Sequence, residues 1–114
     1  MPRNGTYPTV WFNYSQDTPL STKFAQVVSW LENGFDLTLL YHHEPDSTGH
    51  TYGPDSQEMY SMLESIDNDF GTFISNLSSK GLLDKVTIIQ IFCEKYYFSF
   101  LVASNSNVIP GMID

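Results

Sequence analysis

Two stretches of the chain place apolar residues at helical spacing, and a short apolar run follows each. Phe24, Val27, Val28, Trp30 and Leu31 recur with the period of a helix face. Ser21 or Thr22 suits its N-cap, and Asn33-Gly34 suits its close, because both residues tolerate the left-handed cap conformation. Met59, Met62, Leu63, Ile66, Phe70, Phe73, Ile74 and Leu77 then predict a longer helix, opened by Ser56, reaching about Lys80 and ended by Gly81. Residues 35–41 and 85–92 are apolar runs without helical caps, and each predicts a buried strand of a parallel sheet. Residues 1–20 carry Pro2, Gly5, Pro8 and Pro19 among Tyr7, Trp11, Phe12 and Tyr14, and predict an extended connector pinned by aromatics. The segment from His42 to Asp55, broken by Pro45, Gly49, Gly53 and Pro54, predicts a loop. After Phe100 no clear periodicity remains.

The order helix, strand, loop, helix, strand is a β-α-β unit preceded by a helix. It predicts an α/β fold, a parallel sheet with helices on its faces. Ligands of such sheets sit at the carboxyl ends of the strands, so chemistry is expected in the segment after the first strand.

Composition narrows the function classes. Five basic residues face thirteen acidic ones, a net charge of −8, so no basic patch can be assembled for a nucleic-acid polymer or an anionic membrane surface. A phosphate ester remains a possible ligand where a metal cation supplies the positive charge. Cys93, the single cysteine, has no partner for an internal disulfide, and in its apolar run it reads as inert core. The first residues lack the pattern of a signal peptide, and the apolar stretch from about Val86 to Ala103 is interrupted by Glu94 and Lys95, so neither a leader nor a membrane span is expected. Three sequons, at Asn4, Asn13 and Asn76, are glycosylation candidates and lean towards the secretory route.

All three histidines fall in the segment Tyr41-His42-His43-Glu44-Pro45-Asp46-Ser47-Thr48-Gly49-His50-Thr51-Tyr52-Gly53-Pro54-Asp55. A carboxylate at 46 and an imidazole at 50 offer the oxygen and nitrogen donors that suit zinc. Two ligands fall short of the three that a catalytic zinc takes. On spacing alone the segment reads first as a polar surface loop whose histidines do nothing specific. Strand alternation turns His42 away from it. Gly49 and Gly53 are followed by no lysine of a phosphate-cradling loop, and Ser47 near His50 has no third partner for nucleophilic catalysis.

The string Tyr41-x-x-Glu44-Pro45-Asp46-x-x-Gly49-His50-x-x-Gly53-Pro54 resembles the Y-x-E-E-P-D-x-x-G-H-x-x-G-P signature of ectonucleotide pyrophosphatase/phosphodiesterases, of the alkaline-phosphatase superfamily. The flanks at Asn4–Thr9, Val27–Leu31, Ile66-Asp67 and Gly81–Val86 are similar to the same family, so the match covers roughly residues 3 to 89. The resemblance implies an alkaline-phosphatase-like sheet and zinc-dependent hydrolysis of phosphodiester or pyrophosphate bonds in nucleotides or related extracellular esters. It implies two zinc ions in the complete site and an extracellular or cell-surface location. Asp46 and His50 fall on positions that bind one of those ions. His43 stands where the family pattern has a glutamate that is no zinc ligand, which changes the charge of the turn.

The chain also departs from the pattern. A threonine nucleophile and an aspartate are expected upstream of these residues. An S-D-H-G-M segment is expected after the second strand, where Gln90-Ile91-Phe92-Cys93-Glu94 stands instead. The expectation is a partial catalytic domain at 1–89 with a divergent tail at 90–114, carrying no catalytic nucleophile and inactive alone. The alternative is a non-catalytic truncated product or partner-binding fragment. The lipid-anchor phosphoethanolamine transferases share the D-x-x-G-H-x-x-G-P string, but Glu44-Pro45 and the flank at 4–9 count against them.

Overall fold

A computed structural model describes residues 5–92 and 99–105. Helix α1 spans Leu20–Glu32, strand β1 Leu37–His42, helix α2 Asp46–Tyr52, helix α3 Gln57–Ser79, strand β2 Val86–Phe92 and strand β3 Ser99–Asn105, with a 3₁₀ turn at Leu83–Lys85 before β2. Asn4 and Cys93, expected as a glycosylation candidate and as inert core, lie outside the described residues.

Both long helices follow the apolar periodicity. α1 buries Leu20, Phe24, Val27, Val28 and Leu31 along one face. It starts earlier than Ser21 or Thr22, because the Pro19 carbonyl accepts from the amides of Thr22 and Lys23 at 3.1 and 3.2 Å. At its other end Gly34 has φ +86°, and the amides of Gly34 and Phe35 close on Leu31 and Trp30, a Schellman cap. α3 repeats that ending: Gly81 has φ +69°, and the amides of Gly81 and Leu82 return to Ser78 and Leu77. It opens as expected at Ser56, whose hydroxyl accepts from the Met59 amide at 3.1 Å. The apolar face of α3 buries Met59, Phe73 and Leu77, whereas Leu63 stands outside the packed stripe and is exposed.

The two helices pack on each other and α1 packs on β1. Phe24 stacks on Phe73 with ring centroids 4.6 Å apart, and Leu77 is wholly buried beside them. Full burial of one such side chain is worth about 1.5–3 kcal/mol. Ahead of α1, residues 5–19 form no helix, and their aromatics stay largely exposed, with two of them making ring contacts to the helix and strand. Phe12 stacks on Trp30, and Tyr14 meets Tyr41 edge-on.

The sheet departs from the expected pairing. Its order is β1-β3-β2, and both pairings are antiparallel. β1 and β2 run in the same direction, as a β-α-β unit requires, but do not pair with each other. Ala103 lies opposite Thr38 on one side and Ile88 on the other. The chain folds as a small mixed helix-and-strand unit, and the parallel pairing expected of its strands is not seen among the described residues. Unpaired strand edges demand partners for their backbone groups, and β3 from the tail supplies them to both neighbours.

Neither strand is buried on both faces. β1 alternates: Thr38, Leu40 and His42 are buried under the helices, while Leu37, Leu39 and Tyr41 are 52%, 55% and 37% exposed. Ile91 of β2 is 43% exposed. The described helices cover one sheet face only, so an apolar run here signals a half-covered strand.

Candidate metal centre

The segment expected as a loop after β1 contains the seven-residue helix α2. No apolar periodicity marks it. Its backbone is turned in by a cis Glu44-Pro45 peptide, and the amides of Ser47, Gly49 and Gly53 bond to the carbonyls of His43, Pro45 and Gly49. Gly53 ends it at φ +92°, ψ +161°, a region essentially reserved for glycine. Gly49 lies under α3, where an added Cβ would stand 3.4 Å from the Met59 methyl.

Helical spacing brings the two expected ligands together. Asp46 and His50 are four residues apart on one face, and Asp46 Oδ1 lies 3.4 Å from His50 Nε2. Their side chains are 29% and 53% exposed, so both donors are open to solvent. The carboxylate is in the first turn and the imidazole in the last, the order favoured by the helix dipole. One oxygen and one nitrogen on a single turn fit two positions of a zinc coordination shell. Among the described residues, no group of three or more His, Cys, Asp or Glu side chains is assembled that could hold a metal.

His42 and His43 divide as strand alternation requires. His42 turns inward, is buried, and pairs through Nδ1 with Lys23 Nζ at 3.2 Å. An ammonium can only donate, so Nδ1 is the acceptor and the neutral ring carries its proton on Nε2. Burial, with help from Lys23 and His43, pushes the His42 pKa down to about 4. Lys23 also donates to the Tyr41 carbonyl at 3.1 Å, and burial lowers its own pKa. It ties α1 to the end of β1, directly before the segment that carries Asp46 and His50. Burial raises the Tyr41 phenol, helped by Tyr14 and Asp46. His43 reaches Glu44 Oε1 at 3.7 Å through Nε2, while its buried Nδ1 has no hydrogen-bond partner.

Sequence reasoning gave no role to Lys23, Glu44 or Thr48. The Glu44 carboxylate accepts from both the amide and the hydroxyl of Thr48, at 3.1 and 2.7 Å. The signal for that pair was its i,i+4 spacing, visible only once the segment is known to be helical. The Lys23 contact spans 18 residues and has no local signature.

Residues 1–91 match the family described as Type I phosphodiesterase / nucleotide pyrophosphatase. Venom phosphodiesterase 2 of Crotalus adamanteus is 36% identical over 92 residues, covering 77% of this chain and 11% of the relative. Ectonucleotide pyrophosphatase/phosphodiesterase family member 3 of Mus musculus is 34% identical over 92 residues, covering 77% and 10%. The Bos taurus protein of that name is 30% identical over 122 residues, covering 95% and 14%. The chain thus spans roughly a tenth of the length of the curated relatives it matches. No solved structure matches it. With the D-x-x-G-H turn built as a two-donor helix and the match running through both long helices and into β2, the chain belongs to the Type I phosphodiesterase / nucleotide pyrophosphatase family.

Proposed function

We propose that this chain is the part of a zinc-dependent phosphodiesterase domain that supplies Asp46 and His50 to one metal ion. The complete domain would hydrolyse phosphodiester or pyrophosphate bonds of nucleotides outside the cell or at its surface. The observation that carries the reading is the convergence of Asp46 Oδ1 and His50 Nε2 to 3.4 Å on one exposed helical turn. Zinc held there would lend positive charge to a phosphoryl oxygen, which a chain of net charge −8 otherwise lacks. Asp46 and His50 bind and orient that ion, and Lys23 and His42 fix the end of β1 that leads into their helix. The names of the relatives, venom and ecto-enzymes, support the extracellular assignment. So do the sequons at Asn13 and Asn76, both on exposed residues. Among the described residues, no helix is long and apolar enough to cross a membrane.

The 114 residues alone are proposed to be inactive. Two donors hold a zinc ion weakly, and hydrolysis also needs a positioned nucleophile. We read residues 1–89 as catalytic-domain sequence and 90–114 as divergent. Zinc titration of the purified chain, followed by the ring proton resonances of its histidines, tests the reading. His50 is expected to respond and the buried His42 to stay silent, with the response lost in Asp46→Asn. A nucleotide phosphodiester is expected to remain intact. An unchanged His50 response in Asp46→Asn would overturn the metal assignment. Zinc-dependent turnover would overturn the inactivity and with it the partial-domain reading.

A further inference from the structure

The metal pair sits on a helix too short to be stable by itself. Seven residues, with Gly49 and two β-branched threonines among them, lie well under the length at which isolated helices persist in water. α2 must therefore be held in place by something outside its own ladder. Its N-cap residue is Pro45, whose ring offers no acceptor, and no side-chain cap bond is made from that position.

The missing acceptor comes from one residue earlier. Glu44 Oε2 takes both the Thr48 amide, at 3.1 Å, and the Thr48 hydroxyl, at 2.7 Å. Glu44 Oε1 faces His43 Nε2 at 3.7 Å. The carboxylate is only 14% exposed, and Thr48 is buried. Two short bonds from one carboxylate oxygen to one buried residue fix the rotation of α2 about its axis. Thr48 is two residues from both Asp46 and His50, so it lies on the opposite side of the helix. Anchoring Thr48 inward is what turns Asp46 and His50 outward.

We infer that Glu44 is the positioning residue of the metal turn, acting through Thr48 to set the pose of the Asp46–His50 pair. The inference rests on that pair being the metal donors. In holding Thr48, Glu44 acts as a hydrogen-bond acceptor, because both of those contacts need only a lone pair. Glutamine offers that same lone pair and alanine does not.

The full chain tests this with two readouts. Without zinc, amide exchange and backbone shifts report whether 46–52 stays helical. With zinc, the His50 ring reports affinity. Glu44→Ala is expected to speed exchange at Thr48 and Gly49 and to weaken zinc about tenfold, the low end for losing a supporting contact behind a metal ligand. Glu44→Gln is expected to restore both. Thr48→Val keeps the buried shape and the amide but loses the hydroxyl, and is expected to fall between them. It also serves where Glu44→Ala disturbs the fold as a whole. A helical 46–52 and undiminished zinc response in Glu44→Ala would overturn the inference and leave the metal assignment standing. A silent His50 in the unaltered chain would overturn the metal assignment, while exchange at Thr48 still decides the pin. Loss in Glu44→Gln equal to that in Glu44→Ala would overturn the hydrogen-bond role.

Discussion

The α1–α3 core and the metal turn are held by different physics. In the core, Phe24, Phe73 and Leu77 interlock without any polar contact, and their order comes from burial. In the turn, Pro45 and Thr48 are the residues buried, and order comes from directed bonds: Glu44 to Thr48, Gly49 to Pro45, Gly53 to Gly49. Burial is non-directional and tolerates small shifts, whereas a hydrogen bond sets an angle. The site we propose, with two donors aimed at one ion, needs the second kind of order, and the core supplies the wall it is fixed to. Lys23 joins them: it stands on the core helix and its ammonium ends on the strand end and on His42.

The sharpest way to break the comparison is Phe73→Ala. Truncating a ring that is 1% exposed is expected to cost about 3–5 kcal/mol, read as a lowered unfolding midpoint in urea. The turn should be lost only together with the core. An equal fall in the helicity of 46–52 at denaturant levels where the core survives would show that the two regions are not separable in this way.

Acid tests the joint between them. The fold holds His42 neutral, with a pKa of about 4 against an ordinary value near 6.5. The unfolded chain therefore binds more protons between those values. This contribution is complete above about pH 6.5 and drains away as pH falls towards 4, on the order of 3 kcal/mol in all. Lys23 and His43, the charged and titratable groups acting on it, both favour the neutral ring. Urea midpoints across that window should fall with acid, with a shallower slope in His42→Gln. Equal slopes would place the acid sensitivity elsewhere.

The mildest test confines itself to the turn. Gly53→Ala forces a side chain into a conformation that costs roughly 1–3 kcal/mol, and the expected result is fraying of α2 with little change in the core. Faster amide exchange confined to 46–53 would support the division. A fall in the global midpoint as large as that for Phe73→Ala would erase it.

The same division explains what could be read from the chain beforehand. α1, α3 and their glycine caps were legible because local spacing carries both burial and termination. The Asp46–His50 pair was legible as chemistry but not as geometry, since α2 has no apolar stripe and its helical form depends on Glu44 reaching Thr48. The direction of β1 and β2 was legible from their order with the helices. Their separation by β3 was not: it depends on a pairing between residues as far apart as Leu37 and Ser104, which no local pattern announces.

The half-covered sheet also bears on how copies of these 114 residues behave towards one another. Leu37, Leu39 and Tyr41 of β1 present an exposed apolar row, while a net charge of −8 makes every copy repel the next. Salt weakens the repulsion, shortening its reach from about 10 Å at 0.1 M to about 3 Å at 1 M, and leaves the row as adhesive as before. Dispersal of the chain in water is thus a contest between a short-range attraction and a long-range charge, and ionic strength decides it.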